Sequence, residues 1–240
     1  MAKEKKSREF RSEEDRRKDL AKRLARMVRL GHRKAPGVRE MFNKLGLKPR
    51  DIQDLDDLSL LPVLSRERLV ALEKERPPFG GLAREDRPFQ RVFTSPGPVY
   101  EPHLDAGSLW ATGYRAAGIG KGDVVLNAFS YHMVAAGLTF HEGLRACGAT
   151  VIPSGTSSTE QQVQLIRDLG VTAYTGTPSF LMAIISKAEA SGHDFRKDFS
   201  IRRAVFVAEP LRPAVRETLE TNYGIDTYQM YGATEVGDIA

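Results

Sequence analysis

The chain has 240 residues, 41% of them hydrophobic and 28% charged, enough to bury a full core as one large domain or somewhat more. No apolar stretch approaches the roughly 20 residues of a membrane span, so a soluble protein is expected and a membrane partner is not. The start, Met1-Ala2-Lys3-Glu4-Lys5-Lys6, is charged where a secretory signal would be apolar, and a lone cysteine, Cys147, excludes an internal disulfide; both fit a reduced, cytoplasmic setting.

The net charge of +5 is concentrated at one end. Residues 1 to 34 hold 14 Lys or Arg against 6 Asp or Glu, which leaves the other 206 residues at about −3. Leu20, Leu24, Met27 and Gly31 recur there at helical spacing, so from about Glu13 the segment reads as an amphipathic helix whose apolar stripe docks on the body. Its cations read as a solvated face or as an RNA or anionic-membrane contact. The only aromatic among them is Phe10, and no nucleic-acid partner is expected.

Beyond residue 120 short β-rich runs alternate with helical patterns. Val124 to Asn127, Ala149 to Ile152, Val171 to Tyr174, Arg203 to Val207 and Asp226 to Met230 read as strands. Met133 to Ala146, Thr159 to Leu169, Ser179 to Ser191 and Pro213 to Tyr223 read as helices. That alternation implies an α/β fold, a mostly parallel sheet of βαβ units with helices on both faces, preceded by a helical N-terminal segment. The expected organisation is a basic helical extension over 1–34, a helical and irregular lead-in over 35–103, and an α/β subdomain over 104–240.

In such a sheet the loops after the strands open on one edge, where ligands gather. They are Phe129 to His132, Pro153 to Ser158, Gly176 to Ser179, Ala208-Glu209-Pro210 and Tyr231-Gly232-Ala233-Thr234-Glu235, all rich in small, hydroxyl or carboxylate residues. In the last, Tyr231 offers a flat face for a base, Gly232 a close backbone approach, Thr234 a donor to a phosphate oxygen and Glu235 a hard ligand for Mg²⁺. The same five residues also read as a strand-to-loop turn with a solvated carboxylate. Thr177 and Pro178 suit the N-cap and first position of a helix, and Thr159 with Gln162 suits a capping box. His132 reads as a pocket wall, a substrate partner or a helix-start histidine; His141 and Cys147 read as packing residues. No zinc-ligand spacing, Gly-x-Ser-x-Gly elbow or Walker A loop occurs.

In order, Asn127 to Tyr131, Gly148-Ala149-Thr150-Val151-Ile152-Pro153-Ser154-Gly155, Gly176 to Ser179, Ala208-Glu209-Pro210 and Tyr231 to Glu235 resemble the phenylacetate-CoA ligase branch of the adenylate-forming, AMP-binding enzymes. Upstream, Ala35 to Arg39 and Leu55 to Leu69, with Leu60 to Glu67 within it, resemble the helical start of that family, so the similarity runs from about residue 20 to the end.

The resemblance implies that Tyr231 stacks near adenine, Thr234 touches the α-phosphate and Glu235 ligates Mg²⁺, with Gly232 and Ala233 shaping the same loop. It implies that Ala208, Glu209 and Pro210 line the adenine and acyl region, and that Tyr131, His132, Val134 and Ala135 shape the pocket of a small-molecule carboxylic acid, of aryl or arylacetic type. The implied reaction joins the acid to AMP from ATP and passes the acyl group to coenzyme A. The implied partner states are a homodimer and a further C-terminal domain, carried by a longer chain or a split partner. About as many residues again would supply that domain with its catalytic lysine, so the 240-residue chain alone is expected to be catalytically incomplete.

The pocket departs from the family pattern at His132 and Val134, where relatives place a glycine and a bulky aromatic, so the acid need not be phenylacetate; one segment departs further. Where relatives carry a phosphate loop with a second glycine and a lysine before proline, this chain reads Thr94-Ser95-Pro96-Gly97-Pro98-Val99-Tyr100-Glu101-Pro102. Thr94, Ser95 and Gly97 remain candidates for nucleotide binding, while two prolines remove donors and Glu101 stands where a cation is expected. Weakened phosphate binding and a repurposed loop are both consistent with it. Three functions follow: the ligase, a relative that transfers AMP without forming a thioester, and a non-catalytic nucleotide- or partner-binding module.

Overall fold

The computed structural model describes residues 11–86, 88–103, 109–234 and 236–240. They fall into two compact units, one up to Pro102 and one from His103 onward.

In the first unit, α1 (Glu13–Lys34) starts where the Ser12 hydroxyl accepts the Asp15 amide, with three acidic residues in its first turn and His32, Arg33 and Lys34 in its last. Both ends therefore complement the helix dipole. Ala35 is extended, and Pro36 opens α2 (Pro36–Lys44). The buried arc of α1 is Leu24, Ala25 and Val28, of which Leu24 and Val28 pack with Phe42 and Ile52. This corrects the expected stripe, because Met27 is 64% exposed and Leu20 lies at the margin. The arc is rotated toward Ala25, which is itself buried. After α3 (Arg66–Glu75), two strands missing from the sequence reading, β1 (Arg91–Ser95) and β2 (Val99–His103), pair as a hairpin around the 94–102 segment.

The second unit holds α4 (Ala111–Ala116), β3 (Val124–Asn127), α5 (Ala135–Ala146), β4 (Thr150–Ile152), α6 (Thr159–Asp168), β5 (Ala173–Gly176), α7 (Pro178–Ala190), α8 (Phe195–Asp198), β6 (Arg203–Phe206), α9 (Pro213–Glu217) and β7 (Asp226–Gln229). The five strands form one sheet in the order β4-β3-β5-β6-β7, every neighbour parallel. Alternate residues feed opposite faces: Leu126, Tyr174, Ala204 and Phe206 join the core under α6 and α7, whereas Val125, Ala173 and Val205 join the one with Trp110, Phe140 and Leu144. Period-two burial on both sides is what a helix-covered parallel sheet requires.

Several boundaries move for local reasons. Helix α5 begins at Ala135, not Met133, because Met133 adopts φ 59° and Val134 is extended. Strand β5 starts two residues later than expected: the Thr172 hydroxyl accepts the Val124 amide and donates to Asp123 at 2.9 Å. The cap of α6 is Ser158, not Thr159, and Gln162 donates instead to Gly155 O and Ser157 Oγ. Thr177 caps α7 as expected, accepting the Phe180 amide. The helix from Pro213 passes into a π turn over Thr218–Asn222, where the Thr218 hydroxyl bonds back to Ala214 O at 2.8 Å.

Candidate nucleotide and acid site

Parallel pairing puts the carboxyl ends of β3, β5, β6 and β7 on one edge. There a cleft of about 390 Å³ is bounded by the first turns of α5, by Val207 to Pro210 after β6 and by Gln229 to Thr234 after β7. Ala135, Ala208, Glu209, Pro210, Tyr231, Gly232, Ala233 and Thr234 all line it. Eight residues separated by up to 99 positions in sequence therefore meet because strand order, not chain order, sets adjacency.

Each wall has its own cause. Ala208 holds φ 70°, a costly conformation for a residue with a Cβ, and it carries Glu209 across to the start of α7. There the Glu209 carboxylate accepts from the Ser179 hydroxyl at 2.5 Å and, more weakly, from its amide at 3.4 Å. A carboxylate at a helix N-terminus is favoured by the dipole. Gln229 Oε1 accepts the Leu211 amide at 3.1 Å and ties the same loop to β7. The Tyr231 ring is 68% exposed, while its backbone pairs with Ile239 and Ala240. Gly232 and Ala233 form β8 (Gly232–Ala233), antiparallel to β9 (Gly237–Asp238). A Cβ on Gly232 would fall 2.2 Å from Gly237 O and 2.5 Å from Trp110 Cη2, so the close approach that this glycine permits is to its own hairpin and an indole. Glu235 lies outside the described residues.

Tyr131, His132 and Val134 lie outside the lining of the cleft. Buried Asn127, at the end of β3, donates to the Tyr131 hydroxyl at 2.8 Å and to Gly137 O at 2.9 Å, and accepts the Phe129 amide. The Tyr131 hydroxyl sits 3.1 Å from His141 Nδ1. Burial pushes the Tyr131 phenol up to about 12, opposed by the Asn127 bond, and burial lowers His141, helped by Arg145. A neutral imidazole beside a protonated phenol follows, a structural latch that closes the 129–134 loop onto α5. His132 is exposed, its amide bonded to the Ser130 hydroxyl. The sequence reading did not single out Trp110, Thr139, Phe140, Val207, Gln229 and Met230, which also line the cleft. Thr139 and Phe140 fall one turn beyond Ala135 and Ala136, a spacing that marks them once the helix start is known.

The hairpin of the first unit has its own geometry. Glu101 is 8% exposed and turned inward: Ser95 Oγ donates to Glu101 Oε1, and Arg66 Nη1 lies 3.7 Å from it. Arg66 also donates to Ser95 Oγ and, at 2.8 and 3.1 Å, to Pro96 O. Gly97 packs on Val70, since a Cβ would lie 3.0 Å from Val70 Cγ2. The carboxylate expected to face a phosphate chain thus faces a serine and an arginine inside the unit.

An open parallel sheet with a loop-built cleft at its carboxyl edge is a ligand-binding class of α/β architecture, and the family model for AMP-binding enzymes matches residues 104–240. Phenylacetate-coenzyme A ligase of Aromatoleum evansii is 32% identical over 89% of this chain, and that of Escherichia coli K12 is 30% identical over the same share. The chain belongs to the AMP-binding enzyme family, in its phenylacetate-CoA ligase-like branch. It spans about half the length of these curated relatives and corresponds to their N-terminal portion. A crystal structure of 2-hydroxyisobutyryl-CoA ligase in complex with 2-HIB-AMP and CoA superposes with a TM-score of 0.83 at 21% identity, over 92% of this chain and 50% of that one. That likeness is one of fold.

Proposed function

We propose that this chain is the nucleotide- and acid-binding portion of an adenylate-forming ligase that activates an aryl or arylacetic acid as its acyl-AMP for transfer to coenzyme A. The observation that carries the reading is the cleft in which Ala208 to Pro210 and Tyr231 to Thr234 meet the start of α5. The exposed Tyr231 ring suits an adenine face, and the Thr234 hydroxyl suits a phosphate oxygen. Trp110 and Phe140, edge to face at 4.6 Å, make an apolar wall fitted to an aryl group. Glu235 and Thr234 offer oxygen donors only, the set a hard cation such as Mg²⁺ takes while keeping its waters. When bound, that ion would neutralise charge on the phosphates. The chain's own residues bind and orient: Glu209 and Gln229 hold the walls, and the aromatic pair excludes water.

Calorimetric titration with AMP and Mg²⁺ tests this, comparing the parent with Glu235→Ala. Saturable binding weakened about tenfold or more by the substitution is expected; equal binding by both proteins would remove Glu235 from the site.

A second reading, a nucleotide- or partner-binding module without catalysis, is favoured by the inward Glu101. Ser95 and Arg66 are already engaged there, which argues for a repurposed 94–102 hairpin. Comparing ATP with AMP separates the two readings: a hairpin that contributes phosphate contacts makes ATP bind tighter, and a repurposed one leaves the affinities alike.

A further inference from the structure

The segment beneath the β8–β9 hairpin is built to hold it. Trp110 is the only tryptophan in the chain, is 4% exposed, and lines the cleft. On one side its indole fills the space that Gly232 leaves open, 2.5 Å from where a Cβ would stand. On the other it is backed by α5, where a Cβ on Gly143 would fall 2.9 Å from Trp110 Cβ, and by Phe140 edge to face. Three residues on, α4 enters a notch in the same hairpin. A Cβ on Gly113 would lie 2.3 Å from Met230 Sδ and 2.8 Å from Asp238 Oδ2, and the Gly113 amide donates to Asp238 Oδ2 at 2.8 Å. Gly237 comes equally close to Leu109, at 2.7 Å for a built Cβ. Both arms of the hairpin are thus set against residues 109–113, by shape at Trp110 and by a hydrogen bond at Gly113.

We infer that Trp110 and the Gly113–Asp238 pair are positioning residues for the Tyr231 to Thr234 loop, which they hold in its nucleotide-receiving shape. The inference rests on the reading of the cleft as a nucleotide site. It has two consequences. Nucleotide bound against the loop changes the environment of the indole, so Trp110 emission reports occupancy. Loosening either clamp weakens nucleotide binding beyond what loss of overall stability explains.

The experiment is a parallel titration of the full chain with AMP by calorimetry and by tryptophan emission. In the parent the two curves are expected to share one midpoint. Asp238→Ala removes the acceptor of the Gly113 amide and is expected to weaken AMP about tenfold. Asp238→Asn keeps an acceptor oxygen of the same shape and should bind within about threefold of the parent. Gly232→Ala, which drives a methyl into the indole, should weaken AMP at least as much as Asp238→Ala. Ile184→Ala, in the core on the other face of the sheet, should lower the melting temperature while leaving AMP affinity unchanged. Parent emission that stays flat while calorimetry records saturation would overturn the inference, as would Asp238→Ala binding like the parent. If Gly232→Ala fails to fold, the Asp238 pair still decides. Absence of any AMP binding by the parent would instead remove the nucleotide-site reading itself, and the inference with it.

Discussion

At the scale of single residues, Asn127 carries three hydrogen-bond partners in the second unit. It is fully buried and serves the Tyr131 hydroxyl, Gly137 O and the Phe129 amide at once. Asn127→Leu strands those partners, and a loss of about 2–4 kcal/mol in a urea melt is expected, since each orphaned buried group costs roughly 1–3 kcal/mol. The neighbouring His141 gives a pH signature. Its folded pKa lies below the ordinary 6.5 because of burial, so the unfolded chain takes up the proton first. The stability this histidine contributes is present above pH 6.5 and declines as the pH falls through that value. Urea midpoints at about pH 7.5 and 5.5 should differ less for His141→Asn than for the parent; an unchanged difference would remove His141 from the account.

At the scale of elements, α1 and the β1–β2 hairpin repay attention, because each places a side chain opposite to its sequence pattern. Leu24 and Val28 pack on Phe42 and Ile52, whereas Met27 faces solvent. Leu24→Ala is expected to cost about 2–4 kcal/mol and Met27→Ala no more than about 0.5 kcal/mol, read by thermal or chemical denaturation. In the hairpin, Arg66→Ala leaves Glu101 buried without its cation and should destabilise by about 2 kcal/mol or more, whereas Glu101→Gln should cost about 1 kcal/mol. Equal effects of the two would mean that the ion pair is not what holds the hairpin. Helical periodicity located α1, yet the buried arc depended on which neighbour arrived to cover it. The inward turn of Glu101 had no sequence signal at all, because its partner Arg66 lies 35 positions away.

At the scale of the whole molecule, the chain matches about half the length of its relatives. Carboxylate-dependent ATP–pyrophosphate exchange by the purified 240-residue protein is expected to be absent even where AMP binds; clear turnover would show that these residues suffice for adenylation. The βαβ order of the second unit was legible from alternating strand and helix patterns alone, and all five strands of the parallel sheet fell within two residues of their expected starts. The small elements α4, β8 and β9 were not, because two to six residues carry too little periodicity to register. Their role comes from contacts such as Gly113 with Asp238, separated by 125 positions.

The sequence by itself determined the class of fold, the family and the edge of the sheet on which Ala208 to Pro210 and Tyr231 to Thr234 gather, since hydrophobic period and strand direction are local properties that the chain writes in order. Tertiary structure alone decided that Tyr131 latches to Asn127 and His141 outside the cleft, that Glu101 turns inward, and that Gly232 rests on Trp110. Those outcomes depend on packing and pairing between segments distant in sequence, where burial and hydrogen-bond satisfaction choose among side-chain directions that local pattern leaves equal.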